Sequence, residues 1–291
     1  MAAEELLDEG RLEECLESLQ AEVRRAPAVA KSRVFLFQVY ALLGQWDKSL
    51  TQLNIAAEMD QSVALVAGMY RPAIACEVFR EQVVAGKQTP LIFGEPKEWI
   101  AQLVQANAAL AGGDAAGAAE LRRKALKSAK PSPGLINGKP FKVLVDADSR
   151  LGPLLEVIIE GAYYWVPMTR VNQIAISPPE EAHDLVWAAA VFTWTNGGTA
   201  AGLIPTRYPG SHQSSDNAIR LARKTSWEQR GENYFTGLGQ RLFATNADSY
   251  PLLDIRNIMF TGNESTAPPG PGDVAVGAGT GAGAAAESTQ R

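Results

Sequence analysis

Along the first 130 positions, apolar residues recur every three to four places, the period that turns one side of an α-helix toward a core. Residues 3–25 read as a helical hairpin broken at Gly10. Residues 30–43 form the next helix, with Val34, Phe37, Val39, Ala41 and Leu42 on a broad apolar face. Residues 46–58 follow, carrying Leu50, Leu53, Ile55 and Ala57. A longer stretch over 62–85 holds Val63, Val66, Tyr70, Ile74, Val78 and Phe79, and Pro72 inside it predicts a kink or a split. After a turn-rich connector, 86–96, Trp99 opens one more helix, and an alanine-rich stretch, 115–127, makes its partner. The segment KPSPGLING at 130–138 closes the helical region with prolines and glycines. The pattern then shortens. Apolar runs at 141–145, 163–167, 172–177, 185–194, 200–206, 240–245 and 252–260 have strand composition. Asn196-Gly197-Gly198 predicts a hairpin turn between two of them. Two helices are expected within this series, Leu151–Glu160 and Asp216–Lys224.

The helical region also repeats. GRLEEC at 10–15 returns as GQWDKS at 44–49, an offset of 34 residues, and as GDAAGA at 113–118. Leu19 and Leu53 keep the same spacing. Such a period, built from helix, turn and helix, marks a tetratricopeptide-type array, with an ordinary helical hairpin bundle as the alternative. In each copy a glycine permits the tight turn. Leu12, Trp46 and Ala115 then cover the helix junction, while Cys15, Ser49 and Ala118 are small where helices must approach closely. The predicted fold class is α+β: a repeat domain over 1–130, then a mostly antiparallel α+β domain, bent or barrel-like, over 135–260. From 261 to 291 the chain is Gly, Ala, Pro, Ser and Thr, too poor in large apolar side chains to offset its ordering entropy, and a disordered tail is expected.

Composition narrows the function classes. The chain has 291 residues, 46% of them hydrophobic and 20% charged, as in ordinary globular proteins. No apolar run is read as approaching the ~20 residues that cross a bilayer, and the acidic start MAAEELLDEG lacks the pattern of a signal peptide. A cytoplasmic location is therefore the expectation. Cys15 and Cys76 are the only cysteines, unsuited by spacing to a metal site and expected as small buried hydrophobes. A net charge of −5 gives no general attraction to nucleic-acid phosphates. The run Arg122-Arg123-Lys124 reads as one solvated helix face.

Candidate chemistry is sparse. Asp146 and Asp148 could hold a divalent cation if a third ligand were present. Capping of backbone N–H groups or a salt bridge to Arg150 is the favoured reading. His183-Asp184 and Ser211-His212 look like base–orienter and nucleophile–base neighbours, but adjacent residues on an extended chain point apart, so surface loops are expected. The GLGQR segment at 237–241 lacks the spacing and lysine of a phosphate loop and reads as a turn into a strand. TRYPGS at 206–211 fits a recognition loop or a structural corner equally. The aromatic residues at 163–165, with Trp187, Trp194 and Trp227, are expected in the core. No catalytic residue, cofactor or metal site is assigned.

Several segments together resemble one family. RVFLFQVYALLGQWDKSLTQLNIAAEMD (33–60), TPLIFGEPKEW (89–99), DADSRLGPLLEVIIEGAYYWVP (146–167), IPTRYPGS (204–211) and GLGQRLFAT (237–245) are similar to the ImpE/TagJ family of type VI secretion accessory proteins. The resemblance spans nearly all of 3–260. It implies a cytoplasmic, non-enzymatic adaptor associated with the small (TssB-type) sheath subunit and with sheath recycling by the ClpV-type unfoldase. On this reading the partner docks by helix-in-groove packing or strand addition. The nearest candidates for contact are Phe37, Tyr40 and Trp46 in the repeats and Arg207 and Tyr208 in the second domain. The alternatives are a hydrolase or transferase around Asp146, Asp148 and His183, and a self-associating scaffold.

Overall fold

The computed structural model describes residues 2–263. The predicted tail lies outside the described residues apart from 261–263. Helices α1 (Ala3–Asp8) and α2 (Leu12–Arg25) form one hairpin, α3 (Ala30–Leu42) and α4 (Trp46–Met59) the next. The long α5 (Gln61–Val84) follows, and the short strand β1 (Leu91–Ile92) then leads to α6 (Glu98–Ala111) and α7 (Ala115–Ser128). The repeat positions behave as helix packing requires. Cys15, Ser49 and Ala118 are all fully buried, as are Leu19 and Leu53, and Ser49 Oγ donates to the Phe37 carbonyl at 2.9 Å.

Helix α5 runs unbroken through Pro72. The missing N–H is tolerated where the pyrrolidine ring packs over a turn of the second domain: a Cβ at Gly161 would lie 3.1 Å from Pro72. By length and composition α5, of 24 residues, is also apolar enough to span a bilayer, contrary to the expectation that no such run exists. In the fold its Glu77 and Arg80 point inward and are ion-paired.

The second domain contains β2 (Gly134–Ile136), β3 (Lys139–Phe141), β4 (Leu144–Asp146), β5 (Leu154–Ile159), β6 (Ala162–Pro167), β7 (Val171–Ile176), β8 (Trp187–Trp194) and β9 (Thr199–Pro205). After the one-turn α8 (Asn217–Arg220) come β10 (Thr225–Gly231), β11 (Tyr234–Gly239), β12 (Leu242–Thr245), β13 (Ser249–Pro251) and β14 (Asn257–Phe260). Nine strands make one sheet in the order β1-β6-β5-β9-β8-β7-β14-β2-β3, antiparallel except for the parallel β1–β6 pair. A three-stranded sheet, β13-β12-β4, and the β10-β11 hairpin complete the domain. The molecule is thus α+β, with an N-terminal helical region and a largely antiparallel sheet domain.

The large sheet is buried on both faces. Leu154, Ile158, Tyr163, Trp165, Trp187 and Leu203 pack on the helices. Leu155, Val157, Ile159, Phe192 and Ile204 pack instead with Phe243, Leu252, Ile258 and Phe260. This explains one departure from the sequence reading. The run predicted as a helix over Leu151–Glu160 is a turn followed by β5, because a strand covered on both sides loses polar alternation and reads as continuously apolar. The helix predicted over Asp216–Lys224 is similarly reduced to α8.

The second domain docks on the turn ends of the first two repeats. Gly10 and Gly44, at equivalent repeat positions, have φ of +78° and +65° and are faced by Arg223 and His212 respectively. Arg223 donates to the Leu7 and Asp8 carbonyls at 3.0 and 2.7 Å, closing the C-terminus of α1. Arg207 does the same for α3, donating to the Leu42 and Ala41 carbonyls at 2.8 and 3.3 Å. A cation at the carbonyl end of a helix also complements the helix dipole. At Gly44 an added Cβ would come within 2.3 Å of the His212 ring. Gly44→Ala should therefore lower stability by about 1–3 kcal/mol through left-handed backbone strain and the displaced imidazole; the check is urea unfolding, with Gly113→Ala as a comparison that adds the strain without a neighbour.

Candidate functional site

The residues singled out for partner contact lie largely inside. Phe37 is fully buried against Tyr70 and His183. Tyr40 is buried, its hydroxyl accepting from Gln20 Nε2 at 3.0 Å. Arg207 is buried and spends its guanidinium on backbone carbonyls, and burial pushes its pKa down to about 10, still charged at neutral pH. The Tyr208 hydroxyl donates to Asp146 Oδ1 and accepts from the Leu242 N–H, both at 3.0 Å. None of these four presents its side chain at a surface. Trp46 is half-buried, packed on Trp187 and His212, with its indole donating to Glu81 at 3.2 Å. Phe37, Trp46 and Arg207 join the helical layer to the sheet domain, whereas Tyr40 bonds within the helices and Tyr208 within the second domain.

Beneath them is a chain of buried charges. Arg80 of α5 donates to both carboxylate oxygens of Glu156 on β5, at 2.8 and 2.9 Å, and to Glu77 at 3.2 Å. Arg241 bridges the same Glu156 to Asp146 through short contacts, and the Tyr163 hydroxyl also donates to Glu156. Burial opposes ionisation of Glu156, but Arg80 and Arg241 outweigh it and hold the carboxyl well below the usual range. Asp146 shares only Arg241 and stands beside Asp148, so burial wins there and lifts its pKa to about 6.

Asp148 is held by Arg150, at 2.6 Å, and accepts the Gly237 N–H at 2.7 Å. The Asp146–Asp148 pair is therefore a turn and ion-pair element. Among the described residues no three His, Cys, Asp or Glu side chains are grouped to hold a metal ion. His183 lies elsewhere, on the helical side, with Nδ1 3.0 Å from Gln38 Nε2 and its ring 4.4 Å from that of Tyr70. Both histidines, expected on surface loops, are mostly buried: His183 against α3 and α5, His212 under Trp46. Burial lowers both pKa values, against the opposing pull of Asp184 and Glu81. TRYPGS proves to be a corner: Tyr208 N–H donates to the Gly239 carbonyl at 2.9 Å, locking 206–211 onto the GLGQR turn.

The space inside this junction is about 10 Å³, room for roughly one water. Larger concavities open at the surface. One, of about 610 Å³, lies between α1, α3 and residues 179–185; another, of about 750 Å³, lies between α7 and the β10–β11 turn. A third surface feature is convex. On the first half of α5, Leu65 is 83% exposed, with Val66 and Met69 beside it roughly half exposed. Among the described residues nothing lies within 4 Å of where a Gly68 side chain would start, so they leave the ridge uncovered. The sequence reading named Val66 among the apolar positions of this stretch without marking Leu65 and Met69 beside it as an exposed ridge.

Comparison with known proteins adds the following. Residues 138–259 match the family model described as ImpE protein. Over 260 residues, 89% of this chain and 91% of the relative, the sequence is 44% identical to TagJ of Pseudomonas aeruginosa, a type VI secretion system accessory component. The X-ray crystal structure of protein VPA1032 from Vibrio parahaemolyticus shares the fold with a TM-score of 0.81, at 24% identity, over 89% of this chain and 97% of that one.

Two outcomes follow from the buried charges. Glu156→Gln leaves two buried guanidinium groups short of a counter-charge and should cost about 3–5 kcal/mol in urea unfolding. The histidines, whose pKa is depressed below 6.5, favour the fold when neutral; their contribution is present above that pH and lost as pH falls through the depressed values. NMR titration should give imidazole midpoints below 6.5, and His212→Gln should show a shallower loss of stability between neutral and acidic pH.

Proposed function

This chain belongs to the ImpE family, and from that premise we propose that it is a non-enzymatic accessory protein of a type VI secretion system. It acts in the cytoplasm by binding the small, TssB-type subunit of the contractile sheath, and so modulates sheath assembly or recycling by a ClpV-type unfoldase. The observation that carries a binding role is the uncovered α5 ridge of Leu65, Val66 and Met69. An apolar ridge left in water gains free energy when a partner covers it, at about 25 cal/mol per Å². The candidate catalytic groups point the same way, since Asp146 and Asp148 are committed to Arg241 and Arg150 and His183 to Gln38.

Three of the residues first considered for contact, Phe37, Trp46 and Arg207, take a different role in this proposal: they hold the domain junction, and the partner meets helices whose positions they set. Purified sheath small subunit should be retained by the immobilised protein. Leu65→Asp combined with Met69→Asp should weaken capture at least about tenfold, with the thermal midpoint lowered only slightly because Leu65 is 83% and Met69 45% exposed. Equal capture by the variant, or none by the parent protein, would contradict the proposal.

A further inference from the structure

Burial on both faces holds at β5 but ends before the far strands of the large sheet. The helices cover β6, β5 and the near parts of β9 and β8, where Trp187, Ala189 and Leu203 pack against them. Beyond those residues the same face is open. Two rows of side chains cross it in register. The first is Thr199, Thr193, Gln173, Met259, Leu135 and Pro140, one each from β9, β8, β7, β14, β2 and β3. The second is Ala201, Val191, Ala175 and Asn257. Strand alternation puts Phe192, Ile174, Ile258 and Ile136 on the opposite face, in the core. Val191 is 49% and Met259 42% exposed, and no residue of either row is buried.

Neither row contains Asp, Glu, Lys or Arg, although 20% of the chain is charged. A sheet face kept in water alternates to polar side chains, and charges are the common guard against unwanted association. Here valine, methionine and leucine stand on the solvent side with no charge among them. Depletion of charge is also what marks the middle of a protein interface.

We infer that this face pairs with the same face of a second copy of the chain. An occupant must itself be uncharged where it touches, because a charge laid on these rows would lose its hydration and meet no counter-charge. A second copy meets that condition and also fits in shape. A two-fold axis running along the strands between β8 and β7 sets Val191 of each copy over Ala175 of the other, and Met259 over Thr199. Each larger side chain thereby meets a smaller one, as two sheets packed face to face about 10 Å apart require. The two amides on the face are already engaged, Gln173 Nε2 donating to Asn257 Oδ1 at 3.0 Å, which lowers the cost of covering them. Six strands ~4.8 Å apart and two rows deep give on the order of 400 Å² per copy, about half of the ~800 Å² per partner in a standard interface. The dimer is therefore weak and fills only with concentration. The inference goes beyond the sheath reading, which rests on the α5 ridge.

The test is sedimentation equilibrium of the full chain from about 1 µM to about 500 µM. The average mass should rise toward twice the 31.2 kDa of the chain. It should rise further at higher salt, because two copies of net charge −5 repel each other while the face has no charge to screen. Val191→Lys should raise the concentration needed for pairing at least about tenfold. Val29→Lys, at a similarly exposed valine before α3, should leave it unchanged. Ala175→Asp alone should also weaken pairing, and an equimolar mixture of Val191→Lys and Ala175→Asp chains should recover it, since each lysine then faces an aspartate. A variant that merely unfolds cannot give that recovery, and circular dichroism checks each fold. A monomer across the whole range, an equal effect of Val29→Lys, no recovery in the mixture, or a dimer abolished by the Leu65→Asp, Met69→Asp pair instead would each overturn the inference. So would a monomer whose β7–β8 amides gain protection from hydrogen exchange only when purified sheath subunit is added. Sheath capture is read separately and bears only on the α5 ridge.

Discussion

Glu156 is the constraint on which the rest of the structure depends. It sits in the middle of β5, on the face turned to the helices, and a carboxylate there must be neutralised because its desolvation is worth several kcal/mol. Arg80 supplies one cation from α5 and Arg241 the other from the start of β12, and Arg241 in turn reaches Asp146 at the end of β4. One buried charge thereby fixes the rotation of α5 about its axis, the registration of the helices on the sheet, and the approach of the small sheet to the large one. Pro72 and Cys76, on the same helix, meet the β5–β6 turn at Gly161 as a consequence.

That arrangement changes what the repeats are for. A tetratricopeptide-like array usually presents its concave side to another protein. Here residues of the second domain pack on the helices, with Arg207 and Arg223 closing the carbonyl ends of α3 and α1. The array binds its own chain first. Among the described residues, the second domain leaves uncovered the ridge on the first half of α5 and the concavity beside α1 and α3.

The helices and most of the strands were legible because their apolar periods differ, and the repeated glycines marked real turns with positive φ. Failures came where burial is two-sided. Leu154–Ile159 has no solvent face, so its pattern could not distinguish strand from helix. The β10–β11 hairpin was missed for the opposite reason, since β10 carries mostly exposed polar side chains. The segments that carried the family resemblance, 146–167, 204–211 and 237–245, converge on one place. They supply Asp146, Asp148, Glu156, Tyr163, Arg207, Tyr208 and Arg241, which meet in a buried network of charges and hydrogen bonds.

The sequence by itself determined the two-part organisation, the helical repeat and its turn glycines, the strand-rich second half, and the family. Those properties are local, set by periodicity, backbone freedom and motif order. Only the tertiary structure decided which charged and aromatic residues were structural and which surfaces stayed open. Phe37, Arg207 and Tyr208 have the side chains of interface anchors, and nothing local distinguishes an anchor for a partner from one for the chain's own second domain. The distinction is made by contacts across more than a hundred residues, such as Arg207 on Leu42, and these exist only once the helices and the sheet have closed on Glu156.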